Sequence, residues 1–172
     1  MKSSTCFKAI SVVLMFTCIF TLACTSRTSA QALDQVSLLM KFKGNWEGAY
    51  GGKDSILYWQ TKPIAKEKAL YSYAKVVYKG KILLESWAIY AFDQEINKVI
   101  WFELLSDQTL LTYRGEFTSA TTLDLNISSK TAPETVLVTL RLQFRTPDVL
   151  DVTETNQSSG AKNAYVFKRT KQ

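Results

Sequence analysis

TVLVTLRLQFR, residues 135–145, decides the fold. Val136, Val138, Leu140, Leu142 and Phe144 fall on one side of an extended chain, and Thr139, Arg141 and Gln143 on the other. A period of two with one wet face marks an antiparallel strand laid over a core. Residues 121–128 repeat the pattern, with Leu123, Leu125 and Ile127 set against Asp124, Asn126 and Ser128. Outward from these two stretches, short extended segments fill the chain from Asn45 on: 45–50, 55–61, 70–78, 82–92, 98–105, 109–117, 149–155 and 164–169. Turn-forming runs such as GGKD, KGK, DQEIN, SDQ and NQSSGAK separate them. Nine or ten strands joined mostly by short turns predict an all-β chain, a single antiparallel up-and-down β-barrel, with a sandwich as the other closed solution. Only 33–43, LDQVSLLMKFK, departs from this. Leu33, Val36, Leu39/Met40 and Lys43 recur at helical spacing, which predicts a short N-terminal helix or helical turn ending at Gly44.

The chain has 172 residues, enough for one domain with a core of its own. Its net charge of +6 includes Lys2, Lys8 and Arg27, which lie in an N-terminal segment without acids. From Leu33 on there remain 18 basic and 15 acidic residues, a net +3, which gives no electrostatic footprint for nucleic acid. Residues 1–32 read as a signal peptide: a basic start, an uncharged apolar run ISVVLMFTCIFTLA, and Ala30-Gln31-Ala32 as a small-x-small cleavage site that leaves Leu33 first in a domain spanning 33–172. The expected destination is therefore export, periplasmic or extracellular. The competing reading is lipidation at Cys24 within TLAC, although Thr21 stands where such boxes carry a branched aliphatic residue. Membrane attachment is expected only in that case. A retained membrane anchor ranks third, because the apolar run is short and rich in Ser and Thr. The NIS and NQS sequons at Asn126 and Asn156 read as chance matches.

Cys6, Cys18 and Cys24 all lie before Leu33, and the chain contains no histidine. The domain thus has no disulfide framework, thiol nucleophile, His general base, His-ligated haem or Cys/His zinc site. No phosphate loop or EF-hand spacing occurs. No cofactor is expected.

KGNWEG, residues 43–48, follows the predicted helical turn and resembles the Gly-x-Trp signature of lipocalins and the wider calycin barrels, with Gly44 and Trp46 at its two fixed positions. The resemblance implies that Trp46 closes the narrow end of the barrel under a basic residue from the last strand. In the closing AYVFKRTKQ that residue is Arg169, which shares a strand face with Tyr165 and Phe167. An arginine over an indole gains about 0.5–2 kcal/mol and keeps its donors for nearby carbonyls. The layout from Leu33 to Thr170 is also similar to a bacterial family of uncharacterised exported lipocalin-like proteins. That resemblance implies a fold and no assigned activity. Gly44, Trp46 and Arg169 are accordingly read as barrel closure.

Three further features bear on function. Tyr58, Tyr73 and Trp101, or their strand neighbours, are the candidate lining of an interior pocket; most tyrosines of ILYWQ and LYSYAKVVY are expected outside, since a pleat alternates. Glu47, Glu85 and Glu103 sit in otherwise apolar strands, where a carboxylate facing a cavity would mark a cofactor-free enzyme, and an ion pair with Arg114 or Arg141 the plainer role. Residues 82–92 and 99–105 are apolar on both faces, so the N-terminal helix or a second copy of the chain is expected to cover their outer side; a homodimer through Ile82–Phe92 and Val99–Leu105 is the corresponding partner expectation. A binding module for a small apolar or amphipathic ligand, fatty acids included, ranks first. The cofactor-free enzyme and an interaction protein with a filled barrel follow.

Overall fold

The computed structural model describes residues 33–52, 54–128, 131, 132 and 134–171; the expected export signal lies outside them. A short helix α1 (Gln35–Leu39) runs into a 3₁₀ turn (Met40–Phe42). Ten strands follow: β1 (Gly44–Ala49), β2 (Ser55–Ile64), β3 (Ala69–Tyr78), β4 (Lys81–Asp93), β5 (Lys98–Leu105), β6 (Leu110–Phe117), β7 (Thr122–Ser128), β8 (Val136–Thr146), β9 (Val149–Asn156) and β10 (Lys162–Thr170). Each pairs antiparallel with its neighbours in sequence, and β1 also pairs with β10, which closes an up-and-down barrel without a free edge. The alternation read from 135–145 and 121–128 is the inward–outward alternation of β8 and β7. Leu142, Phe144, Leu123 and Leu125 are all buried. Strand β10 begins at Lys162, ahead of the apolar residues, because backbone pairing with Thr155 and Glu154 needs no apolar side chain.

The helical segment is shorter than the spacing over 33–43 predicts. Asp34 caps α1 through the Ser37 amide at 3.0 Å, and Gly44, at φ +124°, turns the chain out of the 3₁₀ turn into β1. A side chain at 44 is excluded twice. The backbone lies where L-residues are strained, and a Cβ would sit 2.6 Å from the Arg169 guanidinium. The helix is tied to the end of β6 by Gln35, which gives a hydrogen bond to the Phe117 carbonyl (3.1 Å) and accepts one from its amide (2.7 Å). It drives Leu39 and Phe42, 0% and 2% exposed, into the same end of the barrel.

Trp46 lies beneath them. It pairs across to Trp59 on one side and Arg169 on the other, is 1% exposed, and gives its indole N–H to the Phe42 carbonyl at 2.9 Å. The Arg169 guanidinium carbon stands 4.2 Å from the centre of the Trp46 ring. Its nitrogens reach the carbonyls of Lys41 (3.0 Å), Pro147 (3.0 Å) and Lys43, and Asp148 Oδ1 (3.0 Å). One side chain therefore ties the 3₁₀ turn, the β8–β9 turn and the last strand together over the indole. The closed ten-stranded antiparallel barrel is compatible with a calycin or lipocalin-like fold.

Candidate functional site

The inward positions change character along the barrel axis. Near the helix they are large and buried: Phe42, Trp46, Phe117, Phe144 and Leu150. One layer further in, Trp59, Tyr90, Trp101, Tyr113 and Phe167 form an aromatic floor, with Trp59 and Trp101 stacked at 6.2 Å and Trp101 against Tyr90 at 4.4 Å and Tyr113 at 4.7 Å. Beyond the floor the inward side chains are only half-buried, among them Tyr50, Leu57, Leu111, Leu140, Glu154 and Tyr165. A cavity of about 240 Å³ lies there.

Small residues on two neighbouring strands make this space. On β3 the inward side chains include Ser72 and Ala74, and on β4 Ser86 and Ala88; they face each other as the pairs Ser72–Ala88 and Ala74–Ser86. The bulky residues of the same strands, Tyr71, Tyr73, Trp87 and Ile89, are turned outward by the pleat. A barrel whose ten strands all turned large residues inward would fill itself. Here one wall is thin.

The cavity wall is apolar with a few polar groups. Glu103, on the inward face of β5 with Val99 and Trp101, accepts a hydrogen bond from the Tyr113 hydroxyl at 2.8 Å. Glu154, inward on β9, carries its charge beside the phenol of Tyr165, whose ring stacks on Tyr50 at 4.7 Å. At the floor, the Tyr90 hydroxyl meets Ser72 Oγ at 2.7 Å and accepts the Trp59 indole N–H at 3.2 Å. Trp101 is 9% exposed, and its indole nitrogen has no hydrogen-bond partner among the described residues.

These surroundings hold the phenols in their neutral form. Burial pushes Tyr50 up to about 12, with Tyr165, Glu154 and Glu103 adding to it. Burial raises Tyr113 as well, followed by the charge of Glu103 and the hydrogen bond to it. Tyr90 is raised by burial against the pull of its hydrogen bond with Ser72, and Tyr165 by burial and then Glu154. The cavity thus offers neutral phenol donors, two carboxylates and one unpaired indole N–H. Among the described residues no group of three or more Asp, Glu, His or Cys is placed to hold a metal ion.

Of the residues singled out from the sequence, Trp101 lies on the cavity wall, while Tyr58 and Tyr73 are on the outer surface. Tyr58 is 38% exposed because Trp59 takes the inward position beside it. Tyr73 gives its hydroxyl to Glu85 at 2.5 Å and packs on Trp87, all three on the outer face. Glu47 is exposed. Arg141 pairs with Asp124, at 2.7 Å, and not with a candidate carboxylate. Glu154, Tyr50, Tyr113 and Tyr165 were not singled out. Their signal was the shared inward parity of Tyr165 with Phe167 and of Glu154 with Leu150 and Val152. Outside the barrel, Trp87, Ile89, Phe102, Leu104 and Leu110 form a contiguous apolar surface over β4, β5 and β6, each between 38% and 51% exposed. Helix α1 packs at the barrel end and leaves these five side chains exposed. The chain matches no family model, and no curated protein matches it.

Proposed function

We propose that this chain is an exported, lipocalin-like binding protein that holds one small, largely apolar molecule in the barrel interior. A single observation carries the reading: the paired small residues of β3 and β4 leave a cavity of about 240 Å³ above an aromatic floor, at the end away from the helix. A core that needed only stability would gain by filling such a space, since an empty cavity forfeits contacts. An apolar pocket with a few convergent polar groups is the usual form of a small-molecule site. The Glu103–Tyr113 pair also fits a cofactor-free enzyme, and the apolar outer face of β4–β6 fits a contact between two copies of the chain. The carrier reading is tested by native mass spectrometry of the protein purified from its own host. A small molecule is expected to accompany the chain and to be absent from Ala74→Phe, which fills the cavity from β3 and keeps the fold. A chain that carries nothing and takes up benzyl alcohol no differently from Ala74→Phe would overturn the carrier reading.

A further inference from the structure

The charge of the cavity is one-sided. Glu103 and Glu154 both project into it, and among the described residues neither is in an ion pair. Glu103 accepts one hydrogen bond, from Tyr113, and no side-chain hydrogen bond to Glu154 is found among the described residues, whereas a carboxylate has about four acceptor positions. Both carboxylates line the same cavity as Tyr50. Lys75 and Glu85 also border the cavity, but both are at outward positions and are engaged on the outer face, Lys75 with its ammonium 5.6 Å from the centre of the exposed Tyr58 ring and Glu85 with the Tyr73 hydroxyl. Arginine 169 is committed at the helix end, to three carbonyls and Asp148.

The walls around the two carboxylates are aromatic faces: the Tyr50–Tyr165 stack on one side and the Trp101–Tyr113 stack on the other. Ring faces attract cations, and more so out of water. Trp101 adds an independent sign that the site is built for a ligand. Its indole N–H is buried without an acceptor among the described residues, at a floor otherwise satisfied by Ser72, Tyr90 and Trp59. Buried polar groups left without partners are rare, and one on a cavity wall is a position for a ligand group, here the electron-rich face of an aromatic body.

Resting on the carrier reading above, we infer that the ligand class is a small organic cation: a protonated amine that sits between Glu103 and Glu154, carried on an apolar or aromatic body that reaches the Trp59–Trp101 floor. The volume, below the usual range of about 300–1,000 Å³ for ligand pockets, limits that body to about ten non-hydrogen atoms. The same features exclude a fatty acid. Its chain is too long, and its carboxylate would meet two of its own sign.

The test uses three molecules of one shape and different charge: 3-phenylpropylamine, 3-phenylpropanol and 3-phenylpropanoate, each titrated calorimetrically into the purified protein at neutral pH. The amine is expected to bind at one site at least about tenfold more tightly than the alcohol, and the acid most weakly. Glu103→Gln and Glu154→Gln are each expected to lower amine affinity by about five- to tenfold and so to narrow the preference for the amine over the alcohol. Equal affinities for all three molecules, or a preference for the acid, would overturn the cation assignment while leaving the carrier reading intact. Binding of none of the three would remove the carrier reading and this inference with it. The comparison among the three ligands is made on the unaltered protein, so it stands even if a glutamine variant fails to fold.

Discussion

Arg169 is the residue on which the closed end depends. It lies over a buried indole, is 27% exposed, and bonds to three backbone carbonyls that would otherwise be left at the ends of elements. Trp46→Ala removes the largest fully buried side chain and is expected to cost about 3–5 kcal/mol. Arg169→Ala is expected to cost less, and the two losses to be non-additive in a denaturant double-mutant cycle, since contacting residues couple. Strictly additive losses would contradict the stacking. The cavity phenols give a second expectation at this scale. Tyr50, Tyr90, Tyr113 and Tyr165 are all raised in the folded state, so the folded barrel holds phenol protons that the unfolded chain releases from about pH 10. Their contribution is fully present below that pH and is lost as the pH rises through the folded values, about 12 for Tyr50. Tyrosinate absorbance is therefore expected to rise in two stages, the second coinciding with loss of the far-ultraviolet sheet signal. A single stage completed in an intact barrel would contradict the burial of these four rings.

At the level of strands, the period of two carried most of the fold, and parity set its limit. In 135–145 and 121–128 one face is apolar and the other polar, so the inward side is legible without a structure. In β2 it is not, because Leu57–Trp59 and Ile56–Tyr58 are equally apolar, and a one-residue change of register exchanges them. The same holds for β3 and β4, where Tyr71, Tyr73 and Trp87 face out and Ser72, Ala74, Ser86 and Ala88 face in. An expectation that large rings line the pocket picks Tyr58 and Tyr73; the chain instead makes its pocket by withholding size. Helix α1 was legible from its spacing, but its role at the barrel end was not, since that depends on Gln35 finding the distant Phe117 backbone. The outer face of β4–β6 remains apolar, and the proposed contact between two copies makes a definite prediction. The protein is expected to sediment as a dimer, and Phe102→Lys, at the centre of that face and 51% exposed, as a folded monomer. A monomeric unaltered protein would contradict the contact.

Taken whole, the barrel divides its length between two tasks. The helix end is packed solid with Leu39, Phe42, Trp46, Phe117 and Phe144, and Arg169 locks it from above. Burial there stabilises a fold that has no disulfide in its strands. Closure of β1 on β10 leaves no edge along which the sheet could open. That rigid end lets the other keep a cavity, because the energetic cost of unfilled space is borne by a well-packed neighbour. The central claim is that this space takes a ligand at the Trp101 floor, and the four tryptophans report on it separately. The indole N–H groups of Trp46 and Trp59 are already bonded, to the Phe42 carbonyl and the Tyr90 hydroxyl, Trp87 is on the outer face, and Trp101 has no partner among the described residues. The most direct measurement is nuclear magnetic resonance of the four indole N–H signals during a titration with 3-phenylpropylamine, with the Trp101 signal assigned through Trp101→Phe. The account predicts that the Trp101 signal shifts saturably while those of Trp46 and Trp87 stay in place; a shift confined to Trp87, with Trp101 unmoved, would contradict it.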